Sequence, residues 1–286
     1  MSTILLFLQF MQGGEFEEAL DKRIKRKSLY DKPYQELTSL QKKYIPIKIL
    51  ILQNYIYNKK IKGDYDTEVS FLEGPITRLF SVKNKSVRKI AWIHNDISRV
   101  FGSGIKAWIK KQMDTKLYDK FETLVFVSKD NLEKFNQTYK TKAKTQVIYN
   151  YIDSENVRKK AKESVEELKK PSLVTVARLV EQKAIDRFVE VHSKLIKEGY
   201  IHNVYVIGDG PEKEKIQARI KENHVEDTFI LLGKKTNPYP YIKKANYFCL
   251  FSKFEGYGMV LEEAKILGKP ILITDTAARE ASLRVW

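Results

Sequence analysis

Cysteine is almost missing from this sequence: Cys249 is the only one in 286 residues. It can close no intrachain disulfide, and its place inside an apolar run suits a reducing cytoplasm. Histidine is scarce as well. His94, His192, His202 and His224 show no ligand spacing, so no metal site is expected among them. His192 falls on the apolar stripe of Ile185, Phe188, Val189, Leu195 and Ile196, where a packed or half-buried histidine is the ordinary case. No apolar run approaches the ~20 residues that cross a bilayer. The apolar stretch Ile4 to Phe10 has neither a basic region before it nor a small-residue cleavage site after it, and reads as a strand rather than a signal peptide. Zinc spacings, ribonucleoprotein aromatic boxes and a helix-turn-helix pattern are also lacking, so nucleic acid is not an expected partner.

What is abundant is positive charge. Lys and Arg number 52 against 36 Asp and Glu, a net charge of +16. Most of it sits early, with 28 basic against 16 acidic residues in positions 1–150. An anionic membrane surface or an acidic ligand would answer to it, and so would a biased genome. Hydrophobic content of 43% and charged content of 31% are those of a globular protein with a sizeable core.

In chain order, Thr3 to Phe10 predicts a strand with Gly13-Gly14 as its turn. Cradling a phosphate there is the weaker reading, since Glu15 to Asp31 makes no clean helix. Tyr34 to Lys62 predicts a helical stretch interrupted at Pro46, apolar and tyrosine-bearing in the middle and flanked by Lys42, Lys43, Lys48, Lys59, Lys60 and Lys62. It suits either an anionic membrane surface or a layer helix. Asp64-Tyr65-Asp66 precedes a strand instead of ending one, so it is a turn rather than a metal motif. Strands are predicted at Thr67–Leu72, Lys89–Ile93, Thr123–Ser128 and Thr145–Asn150, with a helix over Lys129–Tyr139. His94-Asn95-Asp96 closes the second of these strands, where parallel sheets place ligand-handling residues. Phe101 to Gly104 is a glycine loop suited to an acceptor, followed by a basic helix carrying Trp108.

The polar run Asp153 to Lys170 marks a boundary near residue 152, dividing the chain into domains 1–152 and 153–286. Beyond it, strands at Ser172–Leu179, Asn203–Ile207, Thr228–Leu232, Tyr247–Phe251 and Pro270–Thr274 alternate with helical patterns at Ile185–Glu198 and Glu212–Asn223. Near-continuous apolar strands separated by helices give a parallel, doubly wound α/β sheet.

The most informative stretch is Ser252 to Pro270, SKFEGYGMVLEEAKILGKP. A strand runs into Glu255, Gly256 and Gly258 turn the backbone, and a helix follows from Met259 to Leu267 with Val260, Ala264 and Leu267 on one stripe. Exposed amides at a helix N-terminus suit an anion, while Glu255 and Glu263 suit sugar hydroxyls. Two glutamates on such a helix are more often a solvated face. Upstream, Arg178 ends a strand and Lys183 follows five residues later, a pair able to grip a diphosphate. Gly208 and Gly210 free the backbone at the next strand end, and Pro211 starts a helix at its first turn.

Glu-Gly-Tyr-Gly followed by Glu263 and by Gly-Lys-Pro-Ile-Leu-Ile-Thr-Asp resembles the Glu-x7-Glu signature of retaining glycosyltransferase family 4, the group 1 glycosyltransferases. TVARLVEQK, VIGDGPEKEKI, AWIHND and VFVSKDNLEKF look like stretches of the same family, with Ala184 standing where the family usually has glycine. The resemblance covers roughly residues 60–280. It implies two Rossmann-like domains facing across a cleft (GT-B), acceptor on the first and nucleotide sugar on the second, with the first strand and the C-terminal helices missing. It implies that Arg178, Lys183, Glu255 and His94 act in catalysis. Gly208, Gly210, Gly256, Tyr257, Gly258, Met259, Val260 and Glu263 would hold the donor. No metal cofactor is implied. The acceptor would be lipid-linked or an oligosaccharide, the place of work the inner face of the cell membrane, and the setting capsule, exopolysaccharide or lipopolysaccharide synthesis. A non-catalytic nucleotide-sugar-binding protein is the alternative.

Overall fold

The computed structural model describes residues 6–11, 20–33, 36–96, 113–276 and 280–281. The chain forms two compact units, Met1–His94 with Ser103–Val125 and Tyr139–Gln146, and Asn95–Gly102 with Phe126–Thr138 and Val147–Trp286. Gly13-Gly14, the Phe101–Gly104 loop and Trp108 lie outside the described residues.

In the first unit β1 (Leu6–Met11) and β2 (Lys25–Tyr30) make a parallel two-stranded sheet of their own. The strand β2, KRKSLY, arises from a charged stretch with no strand signal beyond the buried Leu29. Helix α1 (Ser39–Ile56) opens with a capping box: the Gln41 amide donates to Thr38 Oγ1 at 3.2 Å and the Thr38 amide to Gln41 Oε1 at 3.0 Å. The predicted interruption at Pro46 does not occur. Proline costs one intrahelical bond and crowds the preceding turn, yet the helix continues, and its irregularity falls at Leu52, just ahead of a π-helical turn over Tyr57–Ile61. Buried Ile49 and Ile56 anchor it beyond the proline.

A four-stranded sheet follows in the order β3-β4-β5-β6, from β3 (Thr67–Ser70), β4 (Arg88–Ile93), β5 (Thr123–Phe126) and β6 (Lys144–Val147), with α2 (Pro75–Phe80) between the first two. Asp64-Tyr65-Asp66 sits in the bend before β3. Glu68 and Lys89 oppose each other in the parallel β3–β4 register and both point inward as a 2.8 Å ion pair. The pair is satisfied by Tyr57, whose hydroxyl donates to Glu68 at 2.6 Å, and by the Phe80 carbonyl, which accepts from Lys89 at 2.7 Å. Burial first, then Glu68, pushes the Tyr57 hydroxyl up to about 12.

The second unit carries α3 (Lys129–Thr138), α4 (Ser154–Lys160) and a five-stranded sheet built from β7 (Ser172–Val176), β8 (Asn203–Ile207), β9 (Phe229–Gly233), β10 (Tyr247–Leu250) and β11 (Ile271–Ile273). The order is β11-β10-β7-β8-β9 with every neighbour parallel. Helices α5 (Ile185–Lys197), α6 (Lys213–Glu222), α7 (Tyr239–Lys244) and α8 (Met259–Ile266) join them. Helix α4 occupies part of the stretch read as a polar boundary, capped by Asp153, which accepts the Asn156 amide at 3.0 Å. Helix α6 begins at Lys213, so Pro211 precedes it instead of occupying its first turn. Phe188 stacks on Phe251 with centroids 4.1 Å apart in a core completed by Val189, Val206, Phe229 and Cys249. His192 is fully buried there, as its stripe predicts.

Candidate functional site

Strand β7 is the middle of the sheet. From it the chain builds outward through β8 and β9, then returns to β10 on the other side and continues to β11. That reversal puts the topological switch point between β7 and β10, and an open parallel sheet binds ligands beyond the carboxyl ends of the strands there. Arg178 and Lys183 follow the end of β7, and Glu255 follows the end of β10.

The structure ties these two loops together. Lys183 Nζ donates to Glu255 Oε1, which also accepts from Ser252 Oγ at 2.5 Å. Beside this pair Gln182 Nε2 donates to the Phe254 carbonyl at 2.9 Å, the Lys253 amide to the Gln182 carbonyl at 2.8 Å, and Lys253 Nζ pairs with Glu181 at 2.8 Å. Ala184 takes the left-handed conformation (φ 47°, ψ 41°), which explains why glycine suits that position. Arg178 is exposed, with no side-chain hydrogen bond or ion pair among the described residues.

Gly256 and Tyr257 lead into α8. The Gly256 carbonyl accepts from Ser128 Oγ at 2.8 Å. The Tyr257 side chain turns into the core, stands 5.5 Å from the Tyr149 ring and donates to Glu262 at 2.5 Å, so only its main chain is left for a ligand. Gly258 is left-handed (φ 80°, ψ 60°) and no side chain caps the helix. The amides of Met259 and Val260 have no partner inside the helix, whereas the Leu261 amide donates to the Gly258 carbonyl at 2.9 Å. Glu263, one turn in, accepts from Tyr239 at 3.0 Å, and burial raises its carboxyl above the usual range. Glu262, which spacing alone did not single out, is wholly buried, with Lys265 3.4 Å away.

Gly208 and Gly210 serve by close approach. A Cβ on Gly208 would stand 1.9 Å from the Ala177 carbonyl oxygen, and one on Gly210 2.4 Å from that of Leu179. The β7 and β8 loops therefore pack backbone to backbone, with the Leu179 amide donating to Asp209 O and the Glu212 amide to Leu179 O, both at 3.0 Å.

His94 belongs to the first unit. Its ring lies 4.6 Å from that of Phe71, its amide donates to Glu73, and burial lowers its pKa against the opposing pull of Glu73. Among the described residues no group of three His, Cys, Asp or Glu could hold a metal ion, and no helix is long and apolar enough to cross a membrane. Ser252, Gln182 and Tyr239 are site neighbours with no signal in the sequence, since their partners lie 3, 72 and 24 positions away.

Comparison with known proteins adds to this geometry. The chain is 28% identical over 253 residues to the N-acetylgalactosamine-N,N'-diacetylbacillosaminyl-diphospho-undecaprenol 4-alpha-N-acetylgalactosaminyltransferase of Campylobacter jejuni, covering 83% of this chain and 65% of that protein. It is 25% identical to the poly(ribitol-phosphate) alpha-N-acetylglucosaminyltransferase of Staphylococcus aureus, over 79% of this chain and 45% of that one. The chain thus spans about half to two thirds of the length of these relatives. HepE of Anabaena, solved with UDP and glucose, matches 96% of the chain at a TM-score of 0.67 and 15% identity, covering 74% of HepE. Likeness at this level shows the fold, the parallel-sheet α/β class of GT-B glycosyltransferases. The family model for glycosyl transferases group 1 matches residues 156–281, which include both tied loops and α8. The group 1 glycosyl transferases are thus the family that the second part of this chain is similar to.

Proposed function

We propose that this protein is a retaining glycosyltransferase that moves a sugar from a nucleotide sugar, UDP- or GDP-linked, to a glycan or lipid-linked acceptor, with 1–152 as acceptor domain and 153–286 as donor domain. The observation that carries the reading is the junction of Lys183 and Glu255 at the β7–β10 switch point, beside the uncapped start of α8. A nucleotide sugar has a diphosphate, a ribose and a sugar, and the loops offer a group for each. Arg178, Lys183 and the amides after Gly256 face the diphosphate, Glu263 the ribose diol, and Glu255 the sugar hydroxyls. UDP is favoured because relatives of this fold were solved with it.

In the reaction the bond from the anomeric carbon to the diphosphate oxygen breaks, and the acceptor oxygen bonds to the same face. The acceptor proton passes to the departing phosphate. Arg178 and Lys183 stabilise the negative charge that develops on it, each such donor being worth ~2.7–4 kcal/mol by analogy with an oxyanion hole. No metal is needed for this neutralisation. His94, whose Nε2 is buried without a partner, takes the role toward the donor sugar that the resemblance gives it. The acceptors named for the relatives include a diphospho-undecaprenol glycan. A lipid-linked acceptor places the protein at the anionic inner face of a membrane, in capsule, exopolysaccharide or lipopolysaccharide synthesis, and fits the basic first half.

Incubation with a panel of UDP- and GDP-sugars and a diphospho-polyprenol acceptor, followed by proton NMR of the new linkage, tests the proposal. Transfer with the donor's anomeric configuration is the expected result. Donor binding with neither transfer nor hydrolysis overturns it in favour of a nucleotide-sugar-binding protein.

A further inference from the structure

Helix α1 is apolar on two opposite faces. One is packed, with Ile49 and Ile56 buried. The other carries Leu40, Tyr44, Ile47 and Ile51, spaced i, i+4, i+7 and i+11 and so aligned in one stripe, with Tyr55 beyond the irregular turn at Leu52, yet each of the five is between 49% and 72% exposed. Single exposed apolar residues are ordinary on any surface, but a contiguous stripe along a helix is not. At about 100° per residue Lys43 and Lys48 fall on its two opposite edges. From Thr38 to Gly63 there are six lysines and no Asp or Glu.

The C-terminal end of the stripe runs into a pocket of about 70 Å³ lined by Tyr30, Lys48, Tyr55, Ile56, Lys59 and Lys60. A single water needs ~10–15 Å³ on this scale, so a phosphate group can enter. Lys59 donates to the Tyr55 hydroxyl at 3.0 Å, and Lys60 reaches the Leu29 carbonyl with its ammonium 5.2 Å from the Tyr30 ring centre. Lys59, with Lys48 and Lys60 behind it, holds the Tyr55 hydroxyl below its ordinary pKa, as an uncompensated positive field should. The pocket has no carboxylate in its lining, which suits an anion.

An apolar stripe rimmed by lysines, on a helix of 18 residues that is too polar to span a bilayer, matches a helix lying in the membrane interface. A second copy of the chain would set like-charged rims against each other. An anionic lipid surface meets both the stripe and its rim. We propose that the outward face of α1 is the protein's membrane-contact surface, its stripe set among acyl chains and a lipid phosphate held in the Lys48, Lys59 and Lys60 pocket. This rests on the membrane-facing reading given above and supplies its residues.

The test uses the full chain with vesicles of phosphatidylcholine mixed with phosphatidylglycerol, and of phosphatidylcholine alone. The protein should sediment with the mixed vesicles only, and less at high salt. Ile47→Asp with Ile51→Asp, and separately Lys48→Glu with Lys59→Glu, should each lower the partition coefficient at least roughly tenfold. A polarity-sensitive dye on Ile51→Cys should shift to the blue on the mixed vesicles; Cys249 is buried with its thiol pushed up to about 12, so labelling is selective. UDP binding by each variant, measured without lipid, should stay at the wild-type value and certifies the fold. Vesicle binding untouched by both sets overturns the assignment to α1 and leaves peripheral association elsewhere on the surface. No vesicle binding by the wild type overturns both membrane statements, while the donor reading stands or falls on UDP alone. A lipid-free dimer that Ile51→Asp dissolves assigns the stripe to a second copy and overturns the proposal.

Discussion

Lys183 and Glu255, 72 positions apart in the chain, share a hydrogen-bonded ion pair in which Glu255 is almost fully buried. This pair and the bond from Gln182 to the Phe254 carbonyl tie together the loops that follow β7 and β10. Lys183→Met and Glu255→Gln should therefore be non-additive in urea-unfolding free energy, with a coupling of ~0.5–3 kcal/mol. Additive effects would mean that the pair carries no weight in holding the loops.

Glu263 sits in the first turns of α8 against Tyr239, whereas Glu255 sits at the mouth of the turn. Glu263→Ala should weaken nucleotide affinity across all sugars, and Glu255→Ala should mainly change the preference among sugars on one base. Calorimetry over a series with varied sugars and a fixed base separates the two, and equal effects would refute the assignment of roles.

The close approach of the β7 and β8 loops leaves no room for a side chain. Gly208→Ala or Gly210→Ala should cost more than ~3 kcal/mol of stability or prevent folding, since the clash is with main chain that cannot rotate away. Gly233→Ala meets nothing within 4 Å but keeps a φ of 69°, and should cost only the ~1–2 kcal/mol of a left-handed alanine. Comparable urea midpoints for the three variants would contradict the packing described.

Buried His192 stands in a chain of hydrogen bonds. The Tyr200 carbonyl can only accept, so His202 Nδ1 donates to it at 2.7 Å, His202 Nε2 accepts from His192 Nδ1 at 2.9 Å, and Thr228 Oγ1 donates to His192 Nε2 at 2.9 Å. Burial, then His202, pushes the His192 pKa down to about 4 from an ordinary 6.5. Because the folded-state value is the lower one, this stabilisation is complete above pH 6.5 and is lost as pH falls toward 4, by up to ~3 kcal/mol. Unfolding curves of wild type and His192→Asn between these pH values check it: the variant should lose stability less steeply on acidification, and parallel curves would contradict the shift.

The second sheet was legible because strands buried on both faces are continuous apolar runs, and Asn203–Ile207 matches to the residue. Elsewhere strand ends fell short of their apolar runs. Beyond Val176, for instance, the Ala177 and Leu179 amides bond to Ile207 and Asp209 in an irregular continuation of the ladder, which the apolar pattern alone does not distinguish from regular strand. Charged strands were less legible: the stretch that holds β2 shows no clean pattern in the sequence, and nothing in it pairs Glu68 with Lys89, whose contact comes from the β3–β4 register. For the candidate site, motif spacing singled out Arg178, Lys183, Glu255 and Glu263, of which the structure brings Lys183 and Glu255 into contact. It could not foresee that Lys183 and Glu255 bond to each other, that the Tyr257 ring turns inward, or that the buried face of α8 runs through Leu261, Glu262 and Ala264, because each depends on contacts between distant segments.

The central claim, that the loops after β7 and β10 hold a nucleoside diphosphate without metal, is tested most directly by titrating UDP into the full chain with a chelator present. Saturable one-to-one binding should survive the chelator and fall at least roughly a hundredfold in Arg178→Met with Lys183→Met, the loss of two charge-assisted contacts at ~1.5–3 kcal/mol each. Binding abolished by the chelator, or unchanged in the double variant, would contradict that claim.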